Sequence, residues 1–157
     1  MNRTLQCLLL CLLPIGGVAL AGTPELIGEA EARLYEAPLT LLSQAPISSD
    51  LGGPEILLVK PDVSSPLQSP VGLQIIVVPK DGAQVNWQSV QLLYGSLRFN
   101  ITDRFLKLAQ RDKEGYIVKA MNIPQGNHRL LILIQDSKNR TGRRELFFTV
   151  AGGGATE

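Results

Sequence analysis

The sequence predicts an all-β domain folded as a sandwich of seven short strands. Between residues 55 and 150, apolar residues recur at period two, the spacing of a strand with one buried face. Clusters of Gly, Pro, Asn, Asp and Ser separate these runs and supply the backbone angles of turns. Several short strands with turn signals between them are typical of a β-sandwich.

The elements follow one another with short connections. Strands are predicted at 55–60, 71–78, 87–94, 97–101, 116–120, 129–135 and 143–150. In the second strand, Leu73, Ile75 and Val77 lie on one face. Residues 102–109 are predicted to form one helical turn, with Thr102 as its cap. The sheet-forming residues therefore belong to one domain, 53–150, followed by a glycine-rich tail at 151–157.

The last two strands form a hairpin with most of the apolar residues. A Pro-Gly turn at 123–128 leads into a strand in which Leu130, Ile132 and Ile134 alternate, and a turn that begins at Asp136 leads into the closing strand. This pattern resembles the closing hairpin of bacterial immunoglobulin-like domains. The resemblance covers about residues 54–150 and implies a fold, with no activity attached to it. It departs from the commonest form at His128, where many relatives have Tyr.

Residues 1–21 are predicted to be a secretory signal peptide. One positive side chain precedes an apolar run, and Ala19 and Ala21 fit the small-residue rule for cleavage after Ala21. A transmembrane anchor is the alternative, but Pro14 interrupts the run and the run is short for a span. The chain is therefore expected in the periplasm or outside the cell.

Cleavage there would remove both cysteines, Cys7 and Cys11, so the exported chain would have no disulfide and no thiol chemistry. Without Arg3, one of 15 basic side chains, it would carry 14 basic and 14 acidic groups. A near-zero net charge gives no basic field for nucleic acid. We expect no nucleic-acid partner and no membrane span in the mature chain.

Residues 22–52 are predicted to hold a short helix and a linker. Thr23, Pro24 and an acidic residue make a helix start, and Leu26, Ile27, Ala30 and Leu34 would share its apolar face. Residues 43–54 are rich in Ser, Pro and Gly, as linkers are.

The candidates for chemistry are few. His128 is the only histidine, and no second His or Cys stands at metal-ligand spacing, so no metal, cofactor or catalytic residue is predicted. The resemblance implies that His128 takes the place of the corner tyrosine of such sandwiches. The side-chain hydroxyl of that tyrosine forms a hydrogen bond with the backbone just upstream. Asp136 is predicted to lead a turn by accepting backbone N–H groups, since Lys138 and Arg140 disfavour calcium there.

Four apolar residues are predicted to lie on the face of three strands that points away from the core. With the alternate residues of those strands in the core, Leu93, Leu131, Leu133 and Phe147 point outward. If the three strands are neighbours, the four side chains form one patch. The N-terminal helix or another molecule would cover it.

We therefore expect an exported, non-catalytic immunoglobulin-like interaction module of the bacterial cell envelope. It would bind another protein or self-associate through this patch. A carbohydrate-binding accessory domain is the alternative, although Trp87 is the only tryptophan. A small hydrolase would need a cleft of converging carboxylates, which no spacing in the sequence indicates.

Overall fold

The computed structural model describes residues 23–35 and 52–152. These residues form two helices, α1 (Glu29–Tyr35) and α2 (Thr102–Leu108). They also form eight strands: β1 (Glu55–Lys60), β2 (Val71–Val78), β3 (Val85–Tyr94), β4 (Phe99–Asn100), β5 (Gln110–Arg111), β6 (Gly115–Met121), β7 (Gly126–Asp136) and β8 (Thr141–Val150). The predicted signal peptide, most of the predicted linker (36–51) and the end of the tail (153–157) lie outside the described residues.

The strands form two antiparallel sheets of four. The first sheet has the order β1-β2-β6-β5 and the second has the order β4-β3-β7-β8. The predicted two-sheet sandwich is confirmed, but the count of seven strands is wrong. The missed strand is β5, whose two residues pair with β6 and are too few to show any alternation.

The core lies between the sheets and follows from period-two alternation. In β2, Val71, Leu73, Ile75 and Val77 are buried, and the residues between them are half-buried. In β7, Leu130, Ile132 and Ile134 meet them from the opposite sheet as part of one hydrophobic cluster. The inner faces of β2 and β7 are thus removed from water, and such burial is the main favourable term in folding.

The N-terminal segment joins this core in a way that the helical pattern does not predict. The helix begins at Glu29, not at Thr23. Leu26 and Ile27 precede it and are fully buried in the core cluster, whereas Leu34 is 74% exposed. The reason is backbone pairing: the Leu26 N–H donates to the carbonyl of Asn122, and the Asn122 N–H donates to that of Pro24. An extended segment at the end of β6 therefore replaces the first predicted helical turn.

Helix α2 closes the side of the sandwich between β4 and β5. It carries one fully buried side chain, Phe105, whose ring meets that of Tyr116 at 5.4 Å between centroids. Ile101 is the residue before the helix, so Thr102 is not its cap. The Thr102 hydroxyl oxygen instead accepts the N–H of Leu92, which ties the helix start to β3.

The loop between β7 and β8 is an aspartate-led turn, as predicted. Asp136 Oδ1 accepts the backbone N–H groups of Lys138 and Arg140 at 2.8 and 3.0 Å. The Arg140 guanidinium donates to Oδ2 and also reaches Asp81. Burial raises the pKa of Asp136, but these hydrogen bonds outweigh it, and the pKa lies below its ordinary value. The turn thereby fixes the register of the closing hairpin.

An ion pair holds the N-terminal segment against α2 and makes its attachment sensitive to acid. Arg104 donates to both carboxylate oxygens of Glu31 at 2.6 Å, and the Gly28 N–H donates to the same carboxylate. The Arg104 hydrogen bonds hold the pKa of Glu31 below its ordinary 4.5 against an opposing effect of burial. A carboxylate with a lowered folded-state pKa stabilises the fold above its unfolded pKa and loses that effect as the pH falls through the folded one.

We therefore expect Glu31→Gln to cost about 1 kcal/mol at pH 7. The difference in thermal stability between the wild type and Glu31→Gln should persist down to about pH 5 and shrink towards zero below pH 4. Thermal unfolding of the two proteins across this pH range measures it. A difference as large at pH 3 as at pH 7 would contradict the role of the ion pair.

Candidate interaction surface

The outer face of the second sheet carries all four residues of the predicted patch. Residues paired across antiparallel strands point to the same face of a sheet. Three cross-strand rows occupy this face: Leu93–Leu131–Glu145, Gln91–Leu133–Arg143 and Arg129–Phe147. The three strands β3, β7 and β8 are therefore neighbours, and the four apolar residues lie on the side opposite the core.

The four residues differ in how much of them faces solvent. Leu131 is only 3% exposed, because its neighbours in the same chain cover it. Leu93, Leu133 and Phe147 are half-buried. The patch that a partner can touch is accordingly smaller than the sequence suggests. It consists of these three side chains around a buried Leu131.

Charged side chains lie among these apolar residues. Glu145 is buried on the outer face, where it accepts from Arg129 Nε at 2.6 Å and from Arg143 Nη2 at 3.3 Å. The Arg129 guanidinium carbon also lies 5.4 Å from the centre of the Phe147 ring, a cation–π distance. The carboxylate and the two guanidinium groups thus form an ion-pair network across the apolar rows.

The described N-terminal segment packs at an end of the sandwich, where β3 ends and β7 begins. Ala32 and Arg33 of α1 line a surface depression with Pro124, Gln125 and Gly126. The Tyr35 ring stacks on Phe99 and meets Tyr94 edge-on. This placement differs from the predicted alternative in which the helix covers the outer face of the second sheet.

His128 is buried beneath the inner face of the same sheet. Its Nε2 lies 2.9 Å from the carbonyl oxygen of Pro124, four residues upstream, and its Nδ1 lies 2.9 Å from the Tyr94 hydroxyl. Because a carbonyl only accepts, Nε2 carries a proton, and in the neutral imidazole Nδ1 then accepts from the Tyr94 hydroxyl. The imidazole ring also stacks on Phe148 at 5.2 Å between centroids. This geometry is that of a structural residue at the start of β7.

Comparisons of the chain with protein-family models, with curated proteins and with solved structures gave no match. Among residues 23–35 and 52–152, no three His, Cys, Asp or Glu side chains gather as a metal site would need. No helix in that part of the chain has the length and hydropathy to cross a membrane.

The sequence did not predict a second exposed apolar surface. On the first sheet, Leu57 and Val59 of β1 and Val78 of β2 are 38%, 46% and 39% exposed. The sequence gives little indication that these side chains are exposed, because residues 55–60 form a nearly continuous apolar run in which no alternation marks an exposed face. Only the pairing of β1 with β2 shows which side chains point outward.

Proposed function

We propose that the chain is an exported, non-catalytic, immunoglobulin-like interaction module of the bacterial cell envelope, in the periplasm or outside the cell. It binds another protein, or a second copy of itself, through the outer face of the second sheet. The observation that carries the proposal is the set of half-buried apolar side chains Leu93, Leu133 and Phe147 on that face. A sheet face with only solvent to meet would alternate with polar residues at these positions.

The surroundings of these side chains support a protein partner. A shallow groove of about 290 Å³ adjoins Leu133; its lining residues are Ser89, Gln91, Leu133, Ile134, Gln135 and Thr141. The groove thus offers hydroxyl and amide groups beside an apolar contact. Arg143 lies opposite Leu133 and Arg129 lies opposite Phe147, and both are paired with Glu145. Protein–protein interfaces combine such apolar contacts with hydrogen-bonding and charged groups.

The alternative, a carbohydrate-binding accessory domain, has less support. Sugar rings are bound on open aromatic faces, and the Trp87 indole is engaged within the chain. The Arg111 guanidinium carbon lies 4.1 Å from the centre of the Trp87 ring, and Tyr116 meets the ring edge-on at 5.7 Å. These contacts take up a ring face that a sugar would need.

Charge substitutions on the outer face test the proposal. Phe147→Asp and Leu133→Asp should each weaken association at least tenfold, because an unpaired carboxylate would be desolvated in an apolar contact. Leu106→Asp, at an exposed leucine of α2, is the matched control. The measurement is the recovery of crosslinked species from the envelope of cells producing each variant, with circular dichroism to show that the variants fold.

We expect the two outer-face variants to lose the species that the wild type and Leu106→Asp retain. Equal recovery in all four proteins would reject this face as the binding surface. Sugar-dependent recovery that is insensitive to Phe147→Asp would favour the carbohydrate-binding alternative instead.

A further inference from the structure

The outer face of the second sheet carries more positive than negative charge. Three charged side chains stand on its hairpin strands β7 and β8: Arg129, Arg143 and Glu145. Each of them lies opposite an apolar residue of the neighbouring strand; in the same order, these residues are Phe147, Leu133 and Leu131. The two guanidinium groups thus share a single carboxylate.

The two arginines use that carboxylate unequally. Arg129 Nε and Nη2 both lie 2.6 Å from Glu145 Oε1. Arg143 reaches Oε2 with Nη2 alone, at 3.3 Å. Its Nε is buried and has no hydrogen-bond partner among the described residues. Since a guanidinium group has five N–H donors and binds a carboxylate best through two of them, Arg143 is the less satisfied of the two arginines.

Solvent meets the arginines of this network and not its carboxylate. The side chain of Glu145 is 1% exposed, whereas those of Arg129 and Arg143 are 19% and 22% exposed. The charge that this face presents to another molecule is therefore positive. A complementary surface would bring a negative group to it.

The surroundings of Arg143 indicate what accompanies that negative group. Half-buried Leu133 lies directly opposite Arg143, and cross-strand neighbours stand about 5 Å apart. One short peptide segment can therefore reach both. Beside Leu133, the groove of about 290 Å³ also offers hydroxyl and amide groups; they belong to Ser89, Gln91, Gln135 and Thr141.

We propose that the partner on this face is a different protein, which presents an acidic side chain next to an apolar one. The carboxylate binds Arg143, and the apolar side chain packs on Leu133. A second copy of this face fits poorly, because its Glu145 is buried and its exposed charges are guanidinium groups that would meet their like. This inference rests on the proposed binding through the outer face and specifies the chemistry of the partner.

Peptides selected from a random phage-displayed library are the probe, and the target is the chain from residue 22, the proposed mature form. The enriched peptides should carry Asp or Glu within two residues of an apolar residue. Arg143→Gln should weaken the binding of such a synthetic peptide about tenfold. Arg143→Lys, which keeps the charge and loses the paired donors, should weaken it about threefold. Leu133→Asp should weaken it at least tenfold.

Lys119→Gln is the matched control, because it removes one positive charge at an exposed position of β6 in the other sheet. It should leave the affinity unchanged. In Arg143→Gln, Glu145 keeps its two hydrogen bonds from Arg129, so this variant should fold, as circular dichroism will show.

The outcomes separate this inference from the proposal on which it rests. No enrichment, enrichment of peptides without acidic residues, or binding that Arg143→Gln leaves unchanged overturns the acidic partner. If Leu133→Asp still abolishes the binding of those peptides, the outer face stays the binding surface; if it does not, both proposals fail. A wild-type dimer that Leu133→Asp dissociates would make a second copy the partner. Arg143-dependent binding to phosphatidylglycerol vesicles without peptide enrichment would assign the arginine to lipid phosphate, and either result overturns the inference.

Discussion

Replacing Leu26 or Ile27 by alanine is expected to destabilise the domain by about 2–5 kcal/mol in each case. Both side chains are fully buried in the core cluster, although they precede the sandwich by many residues. Truncation removes their contacts and leaves a cavity at the end of the sandwich. Few single substitutions outside the sheets should have an effect of this size.

Leu34→Ala is the matched control in the same segment. Leu34 is 74% exposed, so its truncation should change the free energy of unfolding by no more than about 0.5 kcal/mol. Urea denaturation of the three variants gives the comparison. Changes below about 1 kcal/mol for both core variants would mean that residues 23–35 are not part of the cooperative unit.

His128→Ala is expected to cost about 3–5 kcal/mol of folding stability. The substitution removes a buried ring stacked on Phe148 and two hydrogen bonds, one to the Pro124 carbonyl and one from the Tyr94 hydroxyl. Tyr94→Phe removes only the second of these bonds. It should cost about 1–2 kcal/mol.

A double-mutant cycle on these two residues should give a coupling energy of about 1 kcal/mol. Added zinc should leave the melting temperature of the wild type unchanged, because a structural imidazole has both nitrogens engaged within the fold. A zinc-dependent rise in melting temperature that His128→Ala abolishes would contradict the structural role.

The strands were predictable where alternation is long and uninterrupted. β2 has the predicted bounds, because eight residues alternate cleanly between a proline-ended loop and a Pro-Lys turn. β4 is shorter than predicted and β5 was missed, since two-residue strands arise from pairing with a neighbour and have no pattern of their own. The N-terminal helix was predicted to begin too early because the pairing of Leu26 with Asn122 lies far outside any local window.

The position of the outer face was predicted from the sequence, but the burial of Leu131 and the ion-pair network on that face were not. Strand phasing alone placed Leu93, Leu133 and Phe147 on it. Leu131 is buried opposite Glu145, and the two arginines that pair with Glu145 are brought to it by the register of β7 with β8. Sequence spacing within one strand carries no information about such a cross-strand network.

The bonds between Leu26 and Asn122 also impose an order on folding. A chain made from its N-terminus presents Leu26 first, but its partner Asn122, just after β6, appears only after six of the eight described strands have been synthesised. The apolar side chains of this segment therefore stay exposed to solvent until that part of the chain has been synthesised. Closing so long a loop is entropically costly and contributes to slow folding. In the exported chain that we propose, late completion of the core would keep the chain extended for longer, as passage through a narrow translocation channel requires.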